Sequence, residues 1–178
     1  MAETSAPSIR FTATVRSVED RLILRLPDPA SARLSSRGQV AASVTLDDRP
    51  AVTTVVEPDG RKGHWLPVDE LADGFAPGDE VEVVVEPTKE WPEPDLPEDF
   101  ATALDGAPDI ADVWSSITPM ARWEWVRWVN ATKNLDTRAR RVEVAIDKMR
   151  SGKRRPCCFD LSSCTVPEVA KSGKLIEV

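Results

Sequence analysis

The chain has 178 residues, is 41% hydrophobic and 30% charged, and carries a net charge of -7. That is long enough to bury one large core or two small ones, and no apolar run approaches the roughly 20 residues that a membrane span needs. The acidic balance repels a phosphate backbone unless charge is segregated along the chain.

It is segregated: Pro67 to Asp112 holds fifteen acidic residues against one lysine, whereas Lys133 to Arg155 holds nine basic residues against three acidic ones. Either the two stretches neutralise one another, or the basic one faces an anionic partner. MAETSAPSIR has no basic segment followed by an apolar one, so no secretory signal is expected and the cytoplasm is the expected compartment. The three cysteines, Cys157, Cys158 and Cys164, are expected to be thiols, because an odd count without a signal argues against a disulfide framework.

In chain order, the first ninety residues read as strands. Phe11, Ala13 and Val15 alternate in FTATV, and Leu22, Leu24 and Leu26 alternate in RLILRLP. Val40, Ala42, Val44 and Leu46 form a third run, LDDRP turns into AVTTVV, and the loop EPDGRKG leads to HWLPV. A brief helical turn at DELADG precedes FAPGDEVEVVVEP, in which Val81, Val83 and Val85 point one way. Six short strands suggest a closed or nearly closed barrel, which removes exposed edges.

TKEWPEPDLPEDF follows, with Pro92, Pro94 and Pro97 too closely spaced for a ladder or a helix interior. Pro97 opens a helix through FATAL that Asp105 and Gly106 close, and PDIADVW reads as another short helix. Thr118 before Pro119 caps a helix reaching about Thr132, and Asn134 or Asp136 caps a last helix that Gly152 ends. On the first of these, Ala121, Trp125, Trp128 and Thr132 share a buried face, while Trp123 is expected on the opposite side, stacked under Arg127 at an exposed site. On the last, Leu135, Ala139, Val142, Ile146 and Met149 keep the packing repeat, and Arg138, Arg140, Arg141, Lys148 and Arg150 remain for solvent, partly neutralised by Glu143 and Asp147. We expect a barrel over residues 1–95, a small helical domain over 96–152 and a cysteine-containing tail over 153–178.

The stretch NATKNLDTRARRVEVAIDKMRSGKRR resembles the C-terminal signature of the YdeI/OmpD-associated, or bacteriocin-protection, family, in which an A-K-x-x-x-T-R-x-R-R-like run ends the helical region. Thr137, Arg138, Arg140 and Arg141 stand as that pattern has them, whereas Thr132 lies between Ala131 and Lys133 and displaces the start. FTATV, GHWLPV and PGDEVEVVVEP resemble the companion domain of unknown function. The resemblance covers most of residues 9 to 155. It implies an α+β fold, with a six-stranded double-split β-barrel of the AbrB-like class ahead of a helical domain, and a bacterial stress-protection role. It carries over no catalytic residue, and fold alone transfers no function.

His64 is the only histidine, which excludes a multi-histidine metal site or a His-pair mechanism. With Trp65, Arg61 and Lys62 it outlines a ligand-binding site for a small or anionic molecule at a barrel mouth. A second surface for an anion or a partner consists of Trp123, Arg127, Arg138, Arg141 and Lys148. It would read nucleic acid only if Arg127, Arg138, Arg141 and Lys148 form one continuous positive face. Binders of that kind are usually basic overall, so a solvated face is favoured. Three thiols with His64 would formally supply a Cys₃His zinc shell, but adjacent Cys157 and Cys158 lack the C-x-x-C spacing, so no metal and no cofactor are expected. The run KRR before Cys157 would lower a neighbouring thiol pKa, which leaves a redox role as an alternative to plain burial. No phosphate-binding loop, dinucleotide fingerprint or nucleophile elbow occurs, so a non-enzymatic binding protein is favoured over an enzyme. A swapped or paired barrel would make it a homodimer, though nothing in the sequence requires one.

Overall fold

The computed structural model describes residues 7–156 and 160–177. Two compact units divide the chain: a sheet unit up to Pro92 that also takes Leu161–Cys164 and the residues from Glu168 onward, and a helical unit of Glu93–Asp160 with Thr165–Pro167.

In the sheet unit, β1 (Ile9–Thr14), β2 (Arg16–Val18), β3 (Arg21–Arg25), β4 (Val40–Leu46), β5 (Val52–Pro58), β6 (His64–Pro67) and β7 (Glu80–Pro87) form one antiparallel sheet of seven strands, in the order β1-β7-β4-β5-β6-β3-β2. The end strands of that order, β1 and β2, are separated in the chain by Val15 alone. The sheet therefore has to curl until its two ends meet, and the result is a half-barrel. Val15 marks the bend: its amide donates to Asp79 O and its carbonyl accepts from Gly78 N, both at 2.8 Å, while its side chain is fully buried. Six strands were expected and seven are present: the backbone turns at Val15, and Arg16–Val18, where the alternation is broken by the exposed Ser17, forms the separate strand β2. Hydrogen bonding passes from β7 to β3 at that point.

The alternation expected from the sequence sets the inward face. Val81, Val83 and Val85 of β7 and Val40, Ala42, Val44 and Leu46 of β4 are buried in the core, with Leu24, Leu66 and Val68. Two four-residue helices, α1 (Asp28–Ser31) and α2 (Val68–Leu71), interrupt the strands. At the far end of the chain β8 (Ala170–Lys171) and β9 (Lys174–Leu175) pair as a short hairpin of the same unit.

The helical unit contains α3 (Glu98–Asp105), a 3-10 turn at Pro108–Ile110, α4 (Ala111–Ser116), α5 (Pro119–Asn130) and α6 (Leu135–Arg150). Both long helices start on side-chain caps: Thr118 Oγ1 accepts from Ala121 N at 3.2 Å, and Asn134 Oδ1 accepts from Thr137 N at 2.9 Å. Phe100, Ile110, Trp125, Val129, Ala145 and Met149 make its core, and the Trp125 indole N–H donates to Arg154 O at 3.0 Å.

Two expectations for these helices fail. Leu135 is 79% exposed and Ala139 is exposed too, so the buried stripe of α6 begins only at Val142. Periodicity reports which face turns inward, but the face is covered only as far as its neighbours reach. Arg127 is 5% exposed, so it is not an exposed stacking partner for Trp123. Its Nε donates to Thr165 Oγ1 at 3.1 Å, a residue 38 positions away that no local spacing reveals.

Candidate functional site

The loop between β5 and β6 is organised by one carboxylate. Asp59 is 2% exposed; its Oδ1 accepts from Arg61 N at 2.7 Å and Gly63 N at 2.8 Å, and its Oδ2 accepts from Arg25 Nη2 at 3.2 Å. Its own amide donates to Gly63 O at 3.0 Å, which closes the turn. The β8–β9 hairpin packs directly on this loop. Leu175 N donates to Asp59 O at 2.8 Å, and a Cβ on Gly60, which sits at φ +73°, would lie 1.9 Å from Gly173 O. Only glycine satisfies both that conformation and that approach.

Behind the loop His64 is fully buried, with Nδ1 2.6 Å from Ser31 Oγ and Nε2 2.9 Å from Gly38 O. A carbonyl only accepts, so Nε2 carries the proton and Nδ1 accepts from the Ser31 hydroxyl. Burial pushes the imidazole below its ordinary value of 6.5, and the nearby Arg37 cation adds to that. Trp65 is 1% exposed and its indole donates to Pro58 O at 3.1 Å. Arg37 fastens the arrangement by donating to Lys62 O at 3.0 Å and to Ser31 O and Leu34 O at 2.8 and 3.0 Å.

Of the four residues singled out here from the sequence, His64 and Trp65 are therefore interior supports, whereas Arg61 and Lys62 are exposed on the loop that they support. Arg61 Nε lies 3.7 Å from Glu177 Oε1, and Lys62 is held at φ 71°. No sequence signal marks Ser31, Arg37 and Arg25, which come from other elements and share no spacing with the loop.

The second surface is spread more widely. Arg138 grips Asp99 through two nitrogens at 2.7 and 3.0 Å and Asn130 Oδ1 at 2.8 Å, and this contact holds the Asp99 carboxyl below its usual range. Arg141 donates to Trp128 O at 2.7 Å; its guanidinium and the Lys148 ammonium each lie 5.5 Å from the Trp128 ring centre. Trp123 is half-buried and Arg127 is buried, so Arg127, Arg138, Arg141 and Lys148 do not share one solvent face. The acidic stretch answers the basic one inside this unit, Asp99 pairing with Arg138 and Asp109 with Arg150, while Glu93 pairs with Arg122 of α5. Glu124, 6% exposed, is clasped by Arg155.

Among the described residues no group of three or more His, Cys, Asp or Glu side chains is arranged to hold a metal ion. Cys164 is buried, and Cys157 and Cys158 lie outside the described residues. No helix among them is long and apolar enough to cross a membrane.

Residues 93–152 match the family model described as bacteriocin-protection, YdeI or OmpD-associated, and residues 11–85 match a domain of unknown function, DUF1905. No curated protein matches the chain.

Proposed function

Because the chain, through its helical unit, belongs to the bacteriocin-protection, YdeI or OmpD-associated family, we propose that it is a non-enzymatic binding protein with a stress-protection role in the bacterial cytoplasm, and that it takes a small anionic ligand on the β5–β6 loop. One observation carries this reading. The Asp59 carboxylate and the packed β8–β9 hairpin fix the loop backbone, while Arg61 and Lys62 are exposed at consecutive positions on it, Arg61 within 3.7 Å of Glu177. A loop backbone that is already fixed presents its cations without itself having to be ordered, which removes part of the cost of a weak surface site. The support also explains why a fully buried histidine stands directly behind an exposed cationic turn.

The same reading counts β1 and β2 as one strand bent at Val15. That returns the six strands of a double-split barrel and leaves room for the AbrB-like kinship and a paired-barrel homodimer. The nucleic-acid alternative gains no support from Arg127, Arg138, Arg141 and Lys148, given the burial of Arg127.

The test is a titration with inorganic pyrophosphate at low ionic strength, followed by amide chemical shifts. Saturating shifts of Arg61, Lys62 and Gly63 are expected, and they vanish in the Arg61→Ala/Lys62→Ala double variant. Shifts that are absent, or that persist unchanged in the double variant, overturn the loop as the site.

A further inference from the structure

The C-terminal segment brings a carboxylate of its own to the β5–β6 loop. Glu177 Oε1 lies 3.7 Å from Arg61 Nε; among the described residues it is the one carboxylate paired with the Arg61 side chain, and Lys62 pairs with none. The main chain that presents it is fastened just before it: Leu175 N donates to Asp59 O at 2.8 Å, and Ile176 N donates to Val169 O at 2.9 Å. The segment is thus tied to the same loop that carries Arg61. The carboxylate is held far less firmly. Its side chain is 66% exposed, that of Arg61 38%, and their separation exceeds the roughly 2.7 to 2.9 Å of a charge-assisted hydrogen bond.

We propose that Glu177 is a built-in competitor at the anion site: its carboxylate occupies Arg61, an incoming anion has to displace it, and the C-terminal segment thereby holds down the affinity of the loop. This rests on the reading of the β5–β6 loop as an anion site. A carboxylate mounted two residues beyond the Leu175 anchor has a high local concentration at Arg61, so it competes without having to diffuse there. An exposed ion pair nevertheless adds only about fivefold to an equilibrium at most, so the site is tempered, not shut. Displacement needs only a rotation of the Glu177 side chain, because the bonds of Leu175 and Ile176 belong to the backbone and stay in place. The competitor also narrows the class of ligand. A monoanion merely repeats on Arg61 the contact that Glu177 already makes. An anion charged at both ends, such as pyrophosphate, can add Lys62 at the next position, a contact that Glu177 does not make. Polyanions are therefore favoured over simple carboxylates.

The experiment is a pyrophosphate titration of the full chain at low ionic strength, read on the amide shifts of Lys62 and Gly63, for the wild type, Glu177→Gln and Glu80→Gln. Both substitutions neutralise one exposed carboxylate, so the net charge changes equally. Glu80 serves as the control because of its place in the sheet. β7 pairs with β4 through Pro87 opposite Ala42 and Val83 opposite Leu46, which puts Glu80 beyond Leu46, whereas the β5–β6 loop lies past Val56, the partner of Val40 at the other end of β4. The dissociation constant is expected to fall about two- to fivefold in Glu177→Gln and to stay at the wild-type value in Glu80→Gln. Acetate is expected to give no saturating shifts in the wild type. Equal affinities in the wild type and Glu177→Gln, or equal tightening in Glu80→Gln, overturn Glu177 as the competitor and leave the anion site standing. Acetate that binds the wild type as tightly as pyrophosphate overturns the preference for polyanions. Shifts absent from both the wild type and Glu177→Gln overturn the anion site, and the competitor with it.

Discussion

Each unit buries two charged or titratable side chains, Asp59 and His64 in the sheet unit and Glu124 and Arg127 in the helical unit, and the units differ in how these are bonded. The sheet unit draws a carboxylate and an imidazole into its interior and satisfies each there, Asp59 with two backbone amides and a guanidinium, His64 with a hydroxyl and a carbonyl. The helical unit bonds Glu124 and Arg127 to partners far along the chain and keeps its other arginine–carboxylate pairs, such as Arg138 with Asp99 and Arg150 with Asp109, at the rim. A buried, fully bonded group is costly to orphan, whereas an exposed pair contributes little because water serves both partners nearly as well. The consequence is that stability in the first unit is concentrated in a few atoms and in the second is spread over many.

The contrast is broken most directly by Asp59→Ala. Two loop amides and Arg25 lose their acceptor together, and urea denaturation is expected to show a loss of about 3 kcal/mol. A loss under 1 kcal/mol would mean that the carboxylate does not organise the loop. Gly60→Ala attacks the same place through the backbone, combining an unfavourable positive φ with a clash against Gly173 O. We expect a loss of about 2 kcal/mol and protease cleavage near residues 170–175, where the hairpin is released. An uncleaved hairpin would show that the contact is dispensable.

Acid sharpens the comparison. The folded His64 pKa lies below its ordinary 6.5, so below that pH the unfolded chain binds the proton more readily and stability falls as pH drops from about 6.5 towards the folded value. The steepest slope this one group can impose is about 1.4 kcal/mol per pH unit, and a His64→Gln variant is expected to lack it. Asp99 and Asp109, both lowered by their arginine partners, lose their contribution only below their ordinary 3.8. Denaturation measured from pH 7 to 3 is therefore expected to show two separate declines. A flat profile between 7 and 5 would contradict the buried neutral imidazole.

Smaller effects belong to the helical unit. Removing the α5 cap with Thr118→Ala is expected to cost about 1 kcal/mol. Arg138→Ala is expected to cost about 0.5 kcal/mol, in keeping with a partly exposed pair. A much larger loss for Arg138 would place this unit in the same class as the sheet unit and dissolve the distinction.

What the sequence reveals divides along similar lines. Val81, Val83 and Val85, the Thr118 cap and the Asn134 cap are all legible, because each depends on neighbours within a few positions. The bend at Val15 is not, since the break in alternation that follows it, Arg16 and Ser17 exposed before Val18, reads equally well as the plain end of a strand. Nor is the burial of Arg127 or Glu124, whose partners Thr165 and Arg155 are distant in the chain. At the candidate site, the exposed cations Arg61 and Lys62 announce themselves, while Ser31, Arg37 and the two-residue strands β8 and β9 carry no periodic signal at all. Leu135 misleads for the reverse reason: its spacing is that of a core residue, and only the reach of the surrounding helices decides otherwise.

The union of the β8–β9 hairpin with the β5–β6 loop bears on how the chain matures. A ribosome delivers Asp59 long before it delivers Gly173 and Leu175, so the amide that caps the Asp59 carbonyl arrives late. The run Glu93–Asp160, by contrast, supplies nearly all of the helical unit in one uninterrupted stretch. During synthesis the later-made unit is thus ready to fold while the earlier-made one still waits for its latch, and a truncation before residue 170 would leave that wait permanent.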